Sequence, residues 1–404
     1  MPKSDSTAPG FAGKPNKPYP DFPLFPHATK RWAKTIRGKM YYFGPWADPD
    51  GALKRYLAEK DALFAGRTPR AAAEEVTVKV LCNSYLNRKQ ELVDAGELSP
   101  RTWKNYVEAA TLLVDTFGTG RLVADLHEED FAKLRRAMSA KWGPVRVRDF
   151  IQRVRSVFKH GYEARLLDVP MRFGTGFTRP TKKTVRLARA KKGPRMFEPA
   201  EVRALAFGAE VAVKGVAKLV RGSTSLRAMI LLGVNCGFGN ADCGTLPLSA
   251  LDLARGWVNF PRPKTGVDRR CPLWPETVAA LREVLAGRHE PKDPADAGLV
   301  FITSAGLSWH KDIEDNPISK QTRKLLDALG IEGNRNFYAL RHTFETIGGE
   351  AKDQVAVDHI MGHARDDMAS VYRERISDAR LKAVSDYVRN WAFEVKEQSL
   401  PAAA

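Results

Sequence analysis

The chain has 404 residues, 43% hydrophobic and 28% charged, with a mean hydropathy of −0.36. That is chain for two or three domains at ~100–200 residues each, and no apolar run approaches the ~18–20 residues of a membrane span, so no membrane partner is expected. Lys and Arg number 65 against 47 Asp and Glu, a formal net charge of +18; a polyanion is the implied partner class, nucleic acid ahead of an acidic membrane surface, with a merely basic enzyme as the plainer alternative.

The opening residues lack the apolar stretch of a secretory signal, so cytoplasm is the expected compartment. Cys82, Cys236, Cys243 and Cys271 have no metal-ligand spacing and are too few for a disulfide scaffold. Neither a structural metal nor a cofactor is expected.

Residues 1–28, rich in Pro, Gly, Lys and Ser, read as a disordered tail. Residues 29–68 read as a small ββα-like unit. Two β-prone runs flank a turn at Arg37-Gly38-Lys39, and Pro49-Asp50-Gly51 opens a helix carrying Leu53, Tyr56, Leu57 and Leu63. From Lys30 to Trp46 there are basic and aromatic residues but no acid. Such a ribbon suits DNA, with Lys30, Arg31, Lys34, Arg37 and Lys39 on phosphates; a solvated basic face is the alternative.

Residues 76–170 read as a helical domain. Ser99-Pro100 is a helix start, Ser at the N-cap and Pro at the first position, with Trp103, Tyr106, Val107, Ala110 and Leu113 at helical spacing. A second helix opens near Leu126–Phe131, and a third runs from Val145 to Tyr162 with Arg146, Arg148, Arg153 and Arg155 on its outer faces. Residues 171–195 read as a flexible linker without acidic residues, whose Lys182, Lys183, Lys191 and Lys192 suit a phosphate backbone. A last domain spans 196–395, followed by a tail at 396–404. Its helices are expected at 224–236, 275–286, 318–329 and 378–397. Short strands within 256–273 surround a basic turn at Lys264-Thr265-Gly266. The expected fold class is mainly α with small β-sheets.

In this last domain three motifs occur in order: Leu340-Arg341-His342-Thr343, then Met361-Gly362-His363, then Val371-Tyr372-Arg373-Glu374. Arg341 and His363 are 22 positions apart, and His363 and Tyr372 are 9 apart. Each piece is weak alone; in this order, below a lysine-bearing hairpin, they are specific. The pattern resembles the tyrosine recombinases, or phage-type integrases. The resemblance covers an arm-binding unit, a helical core-binding domain and a catalytic domain, and it is strong in the last. It implies a site-specific recombinase or integrase of a phage or mobile element. Its partners would be double-stranded DNA, three further protomers in a homotetramer, and accessory DNA-bending proteins, with association to the nucleoid. A catalytically weakened or inactive relative acting as a DNA-binding protein is the alternative, and a topoisomerase using the same chemistry is a third.

The chemistry that the resemblance implies is coherent. Opening a phosphodiester without metal needs a nucleophile, cations for the non-bridging oxygens and an acid for the leaving hydroxyl. Tyr372 would attack phosphorus, Arg341 would hold its oxygens, His363 would stabilise the developing charge, and Lys264 would protonate the 5′-oxygen. Two positions depart from the family pattern. In Cys236-Gly237-Phe238-Gly239-Asn240-Ala241-Asp242-Cys243, Gly239 stands where the first arginine belongs. Tyr338 replaces the usual histidine three before Arg341, and it can still donate to phosphate. Arg227 lies roughly 18 Å from Gly239 along a helix. Arg262, Arg269 and Arg270 of the hairpin, or an arginine from a partner protomer, are the remaining substitutes. His342 and the two cysteines near Gly239 read as structural.

Overall fold

The computed structural model describes residues 14–66, 76–213, 215–311, 316–365, 368, 372 and 374–394. It divides into two units, Met1–Pro180 and Thr181–Ala404. Among the described residues no helix is long and apolar enough to cross a membrane.

The first unit begins with three antiparallel strands, β1 (Phe25–His27), β2 (Arg31–Ile36) and β3 (Lys39–Pro45), in that order, then helix α1 (Pro49–Phe64). Arg37 and Gly38 both have positive φ, 49° and 79°, as the two-residue primed hairpin turn requires. The expected tail is shorter than the composition suggested. Phe22 and Leu24 are buried with Trp32, Ile36 and Phe43, and Phe25–His27 is a third strand. Burial of these apolar side chains outweighs the Pro-rich composition that favours disorder. Residues 1–13 of that tail lie outside the described residues.

The helical part holds α2 (Val78–Asp94), α3 (Pro100–Phe117), α4 (Glu128–Lys141) and α5 (Pro144–Glu163). The Ser99 hydroxyl caps α3 by accepting from Thr102 N. Val147, Phe150, Ile151, Val154, Val157 and Phe158 bury one face of α5 at helical spacing. The expected linker does not run free. Phe177 is fully buried, and both Phe173 and Phe177 pack on Phe131. Arg155, expected on the outer face, donates to the Phe177 carbonyl at 2.9 Å.

The second unit opens with α6 (Lys182–Ala190), a helix where a strap was expected, capped by the Thr181 hydroxyl. Then come α7 (Pro199–Phe207), the hairpin β4–β5 (Ala209–Val213, Val216–Val220), α8 (Thr224–Asn235) and α9 (Asn240–Gly244). Strands β6 (Leu251–Asp252), β7 (Trp257–Asn259) and β8 (Arg270–Pro272) form a three-stranded antiparallel sheet. Helices α10 (Pro275–Ala286), α11 (Pro317–Ala328), α12 (Ala339–Glu350), α13 (Gln354–Met361) and a last helix, Asp378–Phe393, complete it. Helix α8 is buried nearly all round and is the centre of the core. Its last residue, Asn235, is fully buried and satisfied on both sides. Its amide donates to Pro272 O and Ser385 Oγ, and its oxygen accepts from Trp274 N and Thr277 Oγ1. Sheet, α10 and last helix are thereby tied to the end of α8, and the turn at Gly237–Gly239 follows from that fixed point.

Candidate active site

Arg341 lies in the first turn of α12 and is 2% exposed. Its Nη1 donates to Gly237 O at 2.5 Å and its Nη2 to Met361 O at 2.7 Å. One guanidinium therefore joins the turn after α8 to the carboxyl end of α13, where the helix dipole partly offsets its charge. Burial first, then the Arg262 charge, holds the Arg341 guanidinium below its ordinary value.

Helix α13 ends at Gly362, in the left-handed conformation with φ 64°. A Cβ there would lie 2.7 Å from Arg269 Cδ and 2.8 Å from Arg262 Cβ, so only glycine lets the β7–β8 hairpin approach this closely. The hairpin docks on the same residue: Gly362 O accepts from Thr265 Oγ1 at 3.1 Å and from Arg262 Nη1 at 3.3 Å. Thr265 N and Gly266 N both donate to Arg262 O, closing the turn that carries Lys264, which is exposed.

His363 follows at once. Its Nδ1 lies 3.2 Å from Asp358 Oδ1 and 3.7 Å from Glu345 Oε2. Asp358 also accepts from Arg365 at 2.6 Å. The Asp358 carboxylate accepts from the Nδ1–H of His363 and so orients the ring. The ring lines a cavity of about 320 Å³ with Val267, Asp358 and Arg365. Glu345, Asp358 and His363 each offer one ligand atom within 4.8 Å of the others, but Asp358 is already held by Arg365.

Gly239 has extended backbone, φ −101° and ψ −176°, and its N–H donates to Asp242 Oδ2 at 2.6 Å. A Cβ on Gly239 would touch the Tyr338 ring at 3.5 Å, so the two departures from the family pattern are neighbours. Tyr338 is 41% exposed, stands edge-on to His342, and borders a polar cavity of about 350 Å³ with Lys192, Arg195 and Asn336. Tyr372 is 75% exposed, and among the described residues no hydrogen bond joins it to these groups. The structure therefore brings together Arg341, His363 and the Lys264 turn at one helix end, places Tyr338 beside Gly239, and leaves Tyr372 in solvent.

Of the hairpin arginines, Arg270 turns away to a bidentate pair with Asp378, and Arg269 is buried against Asp242. Arg227 pairs with Glu283. Sequence reasoning did not find the Asp358–His363 or Asp242–Arg269 pairs; an acid five residues before a histidine at a helix end was the available signal for the first. Cys236, Cys243 and Cys271 are buried free thiols, and burial pushes Cys236 and Cys243 well above the ordinary value. The basic residues at Lys30, Arg31, Arg37, Lys39, Lys182, Lys183, Lys191 and Lys192 are exposed, whereas Lys34 is half-buried with its Nζ 6.0 Å from the Tyr56 ring.

Comparison with known proteins gives a matching family model and a fold. Residues 212–377 match the phage integrase family model. A protein of Sinorhizobium fredii named as an integrase/recombinase is 29% identical over 150 residues, 36% of this chain and 34% of that relative; the match thus spans about a third of the curated relative. Among solved structures, a lambda integrase dimer bound to a core site has a TM-score of 0.51 at 16% identity, covering 90% of this chain and 98% of that one. The Tn1549 transposon integrase in complex with transposon right end DNA has a TM-score of 0.53 at 14% identity, covering 77% and 99%. These likenesses give the fold, mostly helical with small antiparallel sheets and including the N-terminal sheet. Arg341, His363 and the hairpin that meet at one helix end all lie inside residues 212–377, the segment that matches the phage integrase family model.

Proposed function

We propose that the chain cuts and rejoins double-stranded DNA at specific sites, for a phage or mobile element. The Tyr372 hydroxyl attacks phosphorus, loses its proton and displaces the 5′-oxygen. A 3′-phosphotyrosyl link forms, and Lys264 gives the departing oxygen its proton. The link keeps the bond energy, so the reverse attack by a 5′-hydroxyl rejoins strands without ATP. Arg341 and His363 stabilise charge on the non-bridging oxygens, and Tyr338 donates from beside Gly239.

The observation that carries this reading is the docking of the Lys264 turn on Gly362 O, one residue from His363 and adjacent to the carbonyl held by Arg341. Three segments distant in sequence thus meet at the end of α13. The family resemblance adds four protomers on two duplexes and accessory bending proteins. A second reading, a DNA-binding relative that no longer cuts, is favoured by Gly239 alone: losing one oxyanion donor costs ~10²–10³ in rate.

Lys264 is the cleanest test because it is exposed and makes no structural bond among the described residues. Lys264→Ala is expected to slow strand exchange between duplexes selected from a random pool by about 10²–10⁴, with DNA binding nearly unchanged. Placing sulfur at the 5′-bridging position, which departs without a proton, restores the rate. A variant that exchanges strands as fast as the parent removes Lys264 from the mechanism.

A further inference from the structure

Three buried arginines surround the end of α13: Arg262, Arg269 and Arg341, at 9%, 3% and 2% exposure. Among the described residues a single carboxylate reaches them. Asp242 Oδ1 accepts from Arg269 Nη2 at 2.9 Å, so the charge of Arg269 is answered. Arg341 and Arg262 bond only to neutral carbonyls, Gly237 O and Met361 O for one and Gly362 O for the other. Adjacent carbonyls at one helix end thus hold two guanidinium groups, and among the described residues no carboxylate hydrogen-bonds to either, Asp242 acting on Arg341 only through space.

Carbonyls satisfy N–H donors but do not neutralise charge, and burying like charges together is unfavourable until an anion joins them. The Arg262 charge is the strongest charged influence on Arg341, next after burial. The Arg262 bond, at 3.3 Å, is long against the ordinary ~2.9–3.0 Å for N–H···O, so a charged oxygen readily replaces it. The other candidates already have acidic partners: Arg269 has Asp242, Arg270 has Asp378 and Arg227 has Glu283.

We propose that Arg262 is the second guanidinium of the phosphate clamp, holding a non-bridging oxygen together with Arg341 in place of the arginine absent at Gly239. The assignment rests on the reading of this region as a phosphodiester site. It moves the charge from the α8–α9 turn to the hairpin that bears Lys264. The turn itself takes an arginine provided that Asp242 gives by a few tenths of an ångström. The backbone of Gly239 is extended, and a Cβ there meets Asp242 Oδ2 at 3.3 Å and the Tyr338 ring at 3.5 Å.

The test uses the full chain and inorganic phosphate, titrated at constant ionic strength and followed by the thermal midpoint. Arg262→Gln keeps a donor for Gly362 O but removes the charge. Arg270→Gln removes the same charge from the same hairpin and controls for non-specific attraction. Phosphate is expected to bind the parent and Arg270→Gln alike, and Arg262→Gln roughly tenfold or more weakly. Adding Gly239→Arg to Arg262→Gln restores binding, which a packing role for Arg262 would not produce. Equal affinity of the two single variants, or a loss that Gly239→Arg leaves unrepaired, overturns the assignment. Neither readout involves Tyr372 or strand cutting, so a chain that binds phosphate through Arg262 yet never cuts sinks only the strand-transfer reading.

Discussion

Asp242 joins two segments through one carboxylate: Oδ2 accepts from Gly239 N and Oδ1 from Arg269 Nη2. The side chains of this ion pair are 0% and 9% exposed. Asp242→Asn leaves the Arg269 charge buried and unanswered, and about 3–5 kcal/mol of stability should disappear in urea unfolding. Asp378→Asn breaks the exposed Arg270 pair and should cost at most about 1 kcal/mol. Equal losses would mean that burial does not govern these pairs. At this scale the sequence singled out Arg341 and His363, which meet at the end of α13, and Tyr372, which stands exposed; it showed Gly239 as a departure because Gly237 and Asp242 keep the register. It did not carry the pairing of Arg262 with Gly362. That contact depends on a left-handed residue ending α13 and on the turn closed by Arg262 O, neither of which spacing encodes.

Among the elements, those with strong local signals were legible. The helix expected at 275–286 is α10, and Ser99-Pro100 starts α3 as its capping chemistry predicts. Composition misled in two places. Pro-rich residues hid β1, whose partner is the later strand β2, and a run of lysines hid α6 despite the Thr181 cap. Helices α12 and α13 also carry a pH response. Burial first pushes the His342 and His359 imidazoles below 6.5, and the Arg195 and Arg341 charges add to this for His342. A histidine depressed in the folded state takes up its proton more readily when unfolded, so stability is full above 6.5 and falls as pH drops below it. The thermal midpoint should therefore decline between neutral pH and pH ~5, and His359→Gln should shallow that decline. An unchanged slope in the variant would contradict the burial argument.

For the whole molecule, the +18 charge pointed to a polyanion, and the exposed lysines of α6 are where a polyanion has access. Lys182 and Lys183 stand in the first turn of α6, where the helix dipole adds to their positive field. Replacing both with glutamate should weaken DNA binding evenly across sequences and lower the salt slope of log K by about 2. A slope that does not change would remove α6 from the DNA contacts. The family resemblance was legible because its motifs hold a few residues in fixed order and spacing, whereas the smaller elements are set by partners far along the chain. The central claim, that this chain joins itself to DNA through Tyr372, has a direct measurement. Duplexes selected from a random pool are nicked near their centres and incubated with the protein in the absence of metal. The account predicts a denaturant-stable protein–DNA adduct that vanishes in Tyr372→Phe while DNA binding persists. An adduct that survives in Tyr372→Phe, or binding by the parent with no adduct at all, would contradict it.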